Sequence, residues 1–407
     1  MDKTTFKTPI VRGSSGGIPL AAQPVRSGFK YQIGQLDRGQ SHYHQFLSTL
    51  VGARRVYKAF SELPEGSVIL CGGERAKESV RKFRPSSNQL QTAKSEAHEY
   101  KHTIVAAELK FKFDKVDVVE GNLEENDLMS IYRCAHLERG TEMFCEFSGG
   151  AAISPLPPVP IRCVGEPQMI MYLTDDIRRQ LVVREKSKIV FARGGAGIFE
   201  IKEFAARLSK VVYCHGGRKT VFNRNLVAAR PATRTVVLKS INPHSRNPTK
   251  MREKAHYDVL HMASPIRAHR IIRESLLVPE EAVQKSWLNV DKHLIQQKRH
   301  SNFCGIGDVA GIPNRKAVAT SRKQASSAPG NVVRFLKQEQ LDPSYDGHPS
   351  CPRVTRIGER ITAEFGRKGM LWPSSPIGLA KERRIHRAPK RDFVPPAYWQ
   401  GMIEGCI

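Results

Sequence analysis

The chain has 407 residues, 40% of them hydrophobic, with 31 Gly and 25 Pro, which excludes a wholly disordered or fibrous chain and leaves room for two or three globular domains. No run approaches the roughly 20 consecutive apolar residues that a spanning helix needs, so any membrane contact is expected to be peripheral. A formal charge of +26 favours anionic partners, whether a phosphate-bearing cofactor, acidic lipid or nucleic acid, without choosing among them. The eight cysteines are too dispersed for a disulfide scaffold, and with no CxxC among them no structural zinc or other metal site is expected.

Residues 6–11 read as a strand and follow the start so closely that no N-terminal targeting segment is expected. A Gly-rich turn, RGSSGG at 12–17, leads into an Ala-containing helical stretch and a second strand over 31–36, which together make a βαβ unit. The apolar run 103–107 is expected to return a strand to the same sheet, and the polar stretch 120–128 to cross into a second domain. A Pro-rich loop follows at 155–160. Beyond it, Ile170, Leu173 and Ile177 recur at helical spacing, 188–192 reads as a strand, and Ile201, Phe204, Ala205 and Leu208 mark another amphipathic helix. Short strand candidates at 220–222, 235–238 and 257–260 suggest an antiparallel addition. Residues 302–307 read as a strand running into a turn, and Ser326, Pro329 and Gly330 are expected to interrupt the helix after it, because an interior proline removes a donor and clashes with the preceding turn. The fold class is therefore α/β: two Rossmann-like dinucleotide-binding domains, each with a parallel sheet, plus an antiparallel addition and a C-terminal extension.

A Gly-rich turn between a first strand and a helix lets backbone N–H groups approach a pyrophosphate, and an acid about 20 residues later can hold ribose hydroxyls. Asp37 stands where that acid belongs. The turn, however, has Arg12 and Ser14 at the first two fingerprint glycine positions and keeps only Gly17. A Cβ at the second position occupies space that phosphates need, so weakened nucleotide binding is expected.

Three further segments lie in order along the chain: PIRCVGEPQMIMYL at 160–173, NFCGIGD at 302–308 and YDGHPSCP at 345–352. They resemble, respectively, the first redox-cysteine segment, the second flavin-contacting turn and the second redox-cysteine segment of the sulfide:quinone oxidoreductases of animal mitochondria. The likeness extends to 6–52, 67–88, 189–208 and 397–399. It implies FAD as cofactor, sulfide and ubiquinone as substrates, a small thiol or sulfite as sulfane-sulfur acceptor, and a peripheral place on the mitochondrial inner membrane. It also implies that Cys163 and Cys351 form the redox pair, with Arg162 and Arg353 as flanking cations that favour a thiolate. Implied flavin contacts are Ser15 and Gly16 in the first loop, Asp37 at the ribose, Gln45, Val80 near the adenine, Asp308 at the ribityl chain, and Val318 and Ala319 at the ring. The implied division is a discontinuous FAD-binding domain of 1–122 and 288–350, a second Rossmann-like domain of 123–287, and a segment of 351–407 facing membrane and quinone.

Departures from the family pattern support an alternative. Besides Arg12 and Ser14, Glu108 replaces a glycine beside the flavin, and Pro389, Pro395 and Pro396 break the terminal helices. A diverged paralogue that has lost flavin binding and acts as a binding protein is the second expectation. Specific nucleic-acid binding is not expected, since the charge comes with no docking motif or aromatic series.

Overall fold

The structure, a computed structural model, describes residues 6–30, 32–69, 74–94, 97–117, 128–134, 137–214, 216, 218–280, 286–312, 316, 318–343, 345–347, 350–356, 358–366, 370–372 and 394–406. Of 318, 319, 322, 325–329, 350 and 394 it describes the backbone alone. The expected crossing at 120–128 thus lies, but for its last residue, outside the described residues, as do Tyr31, Cys71, Pro389 and the basic run 383–391.

The opening forms as its pattern predicts. Strand β1 (Thr8–Val11) is buried along its whole length, helix α1 (Gly17–Arg26) returns over the sheet, and β2 (Ile33–Leu36) pairs parallel with β1. Gly17 allows the close approach of α1: a Cβ there would stand 2.5 Å from the Arg12 carbonyl oxygen and 2.9 Å from Ala106 Cβ. The sheet adds β3 (Glu74–Ala76) beyond β2 and β4 (Thr103–Val105) on the other side of β1, the strand expected at 103–107.

The second unit is built on β5 (Leu128–Met129), β6 (Gly150–Leu156), α2 (Glu166–Gln180), β7 (Ser187–Arg193), α3 (Lys202–Cys214) and β8 (Arg218–Phe222). An antiparallel ribbon follows, β9 (Arg224–Arg230), β10 (Thr235–Ile241) and β11 (Pro248–His256), and then β12 (Val259–His261). The second sheet runs β5-β12-β6-β7-β8, all parallel. Of the three short strands expected to be antiparallel, only 235–238 is. Residues 220–222 and 257–260 serve the parallel sheet, where β12 is fully buried and β8 is the half-buried edge strand, whereas the ribbon ends on the largely exposed β11.

The chain then returns to the first sheet. Strand β13 (Phe303–Gly305) pairs parallel with β4, giving the order β13-β4-β1-β2-β3. Helix α4 (Val318–Leu336) follows and packs on α1. It is one continuous helix through Ser326, Pro329 and Gly330, so the expected interruption does not occur. An interior proline costs about 3 kcal/mol, and contacts on both sides of it offset that cost. Gln324 accepts from the Gly307 amide at 2.6 Å, Asn331 exchanges hydrogen bonds with Asp342 at 2.7 and 2.8 Å, and Val332 is fully buried. Last, β14 (Ser350–Arg356) and β15 (Glu359–Glu364) form a hairpin that joins the apolar core of the second unit.

Candidate functional site

The carboxyl end of β1 delivers the turn 12–16 to the N-terminus of α1, which has no side-chain cap and no acid in its first turn. Arg12 holds φ at +74°, the left-handed region that a glycine would adopt without strain. Asp37, just after β2, accepts the amides of Gly13 and Gly39, each at 2.8 Å, and lies 3.7 Å from Arg12 Nη1. Ser14 Oγ accepts the Gly16 amide at 3.3 Å. Ser15, the expected phosphate contact, is already engaged: its Oγ is 2.6 Å from the Tyr398 hydroxyl. That hydroxyl is 2.7 Å from His42 Nε2, His42 Nδ1 is 3.4 Å from Glu65, and Gln35 donates to Glu65 at 2.8 Å. His44 stacks flat on the Tyr398 ring, centroids 3.9 Å apart, and burial pushes the Tyr398 phenol up. This chain of polar groups carries no sequence motif. Tyr398 meets Ser15 from the far end of the chain, and only the fold shows it.

A cavity of about 390 Å³ opens from this turn, lined by Arg12, Ser15, Gln45, Glu108, Tyr132 and Arg162 among others. Gln45 Nε2 donates to Glu108 at 3.4 Å, while Gln45 Oε1 is buried with no partner among the described residues. Arg162 lies 3.4 Å from Asp308, so the loop after β13 does approach the same crevice as the first turn. Gly16 stands beside Ile306 of that loop, a Cβ on it falling 3.4 Å from the Ile306 side chain. Val80 does not line the cavity; it is buried in a small antiparallel sheet of 80–84, 89–92 and 97–99. Val318 and Ala319 open α4, and their side chains lie outside the described residues.

Cys163 and Cys351 are brought together. Cys163 precedes α2 in a left-handed conformation, φ +43°; its amide donates to the Lys316 carbonyl at 3.0 Å, and its carbonyl accepts from the Tyr132 hydroxyl at 3.3 Å. Its thiol is in hydrogen-bond contact with the Cys351 thiol on β14 and also donates to Glu166 Oε1 at 3.4 Å. Both cysteines are free thiols. The bond to Cys351, burial and the Glu166 carboxylate together push the Cys163 thiol well above the ordinary range, the reverse of the expected thiolate. Arg162 turns to Asp308, and Arg353 is fully buried, donating to Gln168 with its guanidinium 4.5 Å from the Phe199 ring centroid. Lys316 is buried, donates to the Ala310 carbonyl and lies 4.4 Å from the Trp287 centroid, and burial draws its ammonium down to about 8. Cys134 lines the cavity, its thiol pushed up to about 11 by burial; Cys304 is buried against His102 at 3.6 Å.

The residues present fit a phosphate-bearing nucleotide, with a handicap. The uncapped helix start and Gln45 Oε1, which has no partner among the described residues, are groups that such a ligand would satisfy. The Arg12–Asp37 pair is a small obstacle, because at 3.7 Å with Arg12 one-third exposed it is worth about 1 kcal/mol at most. The buried Ser15–Tyr398–His42 contacts are a larger one.

Two parallel sheets, a crevice between the first turn and the loop after β13, and a thiol pair at its edge define a two-unit dinucleotide-binding oxidoreductase of the flavoprotein type. No protein-family model matches the chain. Over 406 residues it is 30% identical to the mitochondrial sulfide:quinone oxidoreductase of Dictyostelium discoideum, covering 99% of this chain and 87% of that protein. The chain belongs to the sulfide:quinone oxidoreductase family. Among solved structures, the sulfide:quinone oxidoreductase of Aquifex aeolicus shares the fold over 99% of this chain and 92% of that one, with a TM-score of 0.80 and 13% identity. A chain of the Tetrahymena thermophila mitochondrial ATP synthase shares it over 100% and 97%, with a TM-score of 0.83 and 16% identity. Among the described residues no helix is long and apolar enough to cross a membrane.

Proposed function

We propose that the chain oxidises hydrogen sulfide at the Cys163–Cys351 pair and passes the electrons by way of FAD to ubiquinone, as a peripheral protein of the mitochondrial inner membrane. The observation that carries this reading is the contact between the two thiols, which come from distant parts of the chain and different elements. In the oxidised pair, hydrosulfide attacks one sulfur. The S–S bond breaks, a new one forms as a persulfide on that cysteine, and the electron pair leaves on the other as a thiolate. The sulfane sulfur then passes to a small thiol or to sulfite. Ser15 and Gly16 would hold the pyrophosphate, Asp37 the ribose, Gln45 a polar edge, and Asp308 the ribityl chain; Val80, Val318 and Ala319 are the remaining contacts the family pattern implies. FAD, when bound, supplies a two-electron acceptor beside the pair. Tyr132 and Lys316 fix the backbone of Cys163 and so orient its sulfur. On this reading 1–122 with 288–350 bind FAD, 123–287 form the second Rossmann-like domain, and 351–407 carry Cys351 and face the quinone.

A second reading is favoured by one observation, the Tyr398 hydroxyl on Ser15 at the phosphate turn. On it the chain holds no flavin and acts as a binding protein within a larger assembly, as the chain of the same fold in the Tetrahymena ATP synthase belongs to one. Two measurements on the purified protein separate the readings: the visible absorption spectrum, and stopped-flow reduction of bound flavin by sulfide. An oxidised-flavin spectrum bleached by sulfide supports the first. A colourless protein that also fails to take up added FAD supports the second.

A further inference from the structure

The charges around the two thiols are not symmetric. Cys351 and Arg353 stand two apart on β14, so their side chains share one face of the strand. Both pack around Gly165, the residue that precedes α2: a Cβ there would stand 3.3 Å from Cys351 Sγ and 3.6 Å from Cζ and Nη1 of Arg353. The guanidinium is fixed by Gln168, itself fully buried, and by the Phe199 ring. Its Nε and Nη2 are buried without an acceptor, and no carboxylate among the described residues pairs with it. Arginine does not shed its proton in proteins, and a buried charge with no counter-charge is strongly unfavourable. The Cys351 sulfur, on the same face of β14 and packed on the same glycine, is a nearby group that can become an anion.

Cys163 meets the opposite environment, since its thiol donates to the Glu166 carboxylate. The other charged or titratable groups near the pair are directed elsewhere. Arg162 pairs with Asp308, Lys316 Nζ turns to the Ala310 carbonyl and Trp287, and the Tyr132 hydroxyl is on the Cys163 carbonyl. On β15 it is Ala363 that faces Cys351; Glu364 and Arg360 lie opposite Ser350 and Val354, on the other face of the hairpin.

We propose that the cysteine pair ionises asymmetrically, with Arg353 as the counter-ion that holds anionic sulfur on Cys351, thiolate or persulfide, while Glu166 keeps Cys163 a thiol. This rests on the reading of the pair as the reacting centre and adds a residue to it. When hydrosulfide breaks the S–S bond, one negative charge enters and one remains, and Arg353 fixes that charge on the β14 side, leaving the proton with Cys163.

The test is a thiolate titration by ultraviolet absorbance, which needs no flavin, sulfide or quinone and so stands or falls separately from the sulfide assay. The difference between Cys163→Ser and Cys163→Ser/Cys351→Ser isolates Cys351, and the difference between Cys351→Ser and the same double variant isolates Cys163. Cys351 is expected to ionise at the lower pH. Arg353→Leu should raise its midpoint by about 1 to 3 pH units, Arg353→Lys should restore most of the shift, and Glu166→Gln should lower the midpoint of Cys163. If the Arg353→Leu protein does not fold, the order of the two midpoints in the single-cysteine variants decides alone. Cys163 ionising first, or a Cys351 midpoint unmoved by Arg353→Leu, overturns the proposal.

Discussion

The phosphate turn and the surroundings of the cysteine pair differ in how their polar groups are matched. At the phosphate turn the side chains are mostly paired with one another, Gln45 Oε1 apart: Arg12 faces Asp37, Ser15 meets Tyr398, Tyr398 leans on His42, and His42 on Glu65. Around the cysteines they are not. Among the described residues Arg353 keeps two guanidinium nitrogens without acceptors, and Lys316 is buried with an ammonium drawn down to about 8. Internal pairing stabilises an empty site and must be undone by any ligand, whereas buried unmatched charge leaves a site that an anion would stabilise. On the proposed function, the departures at Arg12, Ser14 and Glu108 fall on the turn that would hold the cofactor, while the buried Arg353 beside Cys351 is a cation that an anionic sulfur would stabilise.

The largest effect is expected from the cysteines. Cys163→Ser or Cys351→Ser should bring sulfide-dependent persulfide formation and any flavin reduction down to background, read by mass spectrometry of sulfide-treated protein and by stopped flow. Equal rates in wild type and both variants would remove the pair from the mechanism. Next is Lys316. Its folded value of about 8 lies below the ordinary 10.5, so between these pH values the unfolded chain binds more protons and stability rises with pH. The penalty is present in full below about 8 and gone above 10.5, and it amounts to roughly 3 kcal/mol at about 1.4 kcal/mol per unit. Lys316→Met should therefore stabilise the protein near pH 7, less about 1 kcal/mol for the lost bond to Ala310, and flatten the rise above pH 8. Urea melts at neutral and alkaline pH check this, and identical pH profiles would sink it. Smaller again is Tyr398→Phe, which leaves Ser15 and His42 without their partner. It should cost about 1–3 kcal/mol in stability while increasing FAD uptake, a pairing of signs that a merely structural tyrosine would not give.

How much of this was legible in the sequence depended on range. The βαβ opening, α2, β7 and α3 follow from local periodicity and a glycine turn, and they formed where expected. The helix through Pro329 did not follow, because its survival depends on Asn331 binding Asp342 and on packing against α1, both tertiary. The pairing of 220–222 and 257–260 is not legible in the sequence, because a short apolar run does not reveal its partner. At the site, Cys163 and Cys351 were legible only through resemblance, since no spacing rule joins them. Tyr398, His42 and Glu166 lie in segments that share the resemblance and Glu65 does not, but in none of them does the sequence show the contact that matters: Tyr398 meets His42 from the far end of the chain, His42 meets Glu65 across a strand and a loop, and Glu166 turns back on the Cys163 thiol. Arg353 was visible as a cation beside a cysteine, but that no carboxylate among the described residues pairs with it belongs to the fold.

The smallest expected effect sharpens the comparison most, because it concerns a single side chain at the phosphate turn. Arg12→Gly relieves a left-handed backbone that costs a non-glycine residue roughly 1 kcal/mol, and it removes an ion pair with Asp37 worth about as much or less, since Arg12 is one-third exposed. The net change in stability should lie within about 1 kcal/mol of zero. What changes is the ligand side: Asp37 keeps its bonds from the Gly13 and Gly39 amides but loses the guanidinium that stands where a ribose would go, and the turn loses the bulk facing the pyrophosphate. FAD uptake should rise several-fold, and further when Ser14→Gly and Glu108→Gly are added, because Ser14 presents a Cβ at the second glycine position and Glu108 a carboxylate to the cavity. Equilibrium dialysis against FAD, with circular dichroism to confirm an unchanged fold, gives the answer. If the triple variant takes up no more flavin than wild type, Arg12, Ser14 and Glu108 are not what closes this turn, and the Tyr398 contact with Ser15 becomes the closure to remove.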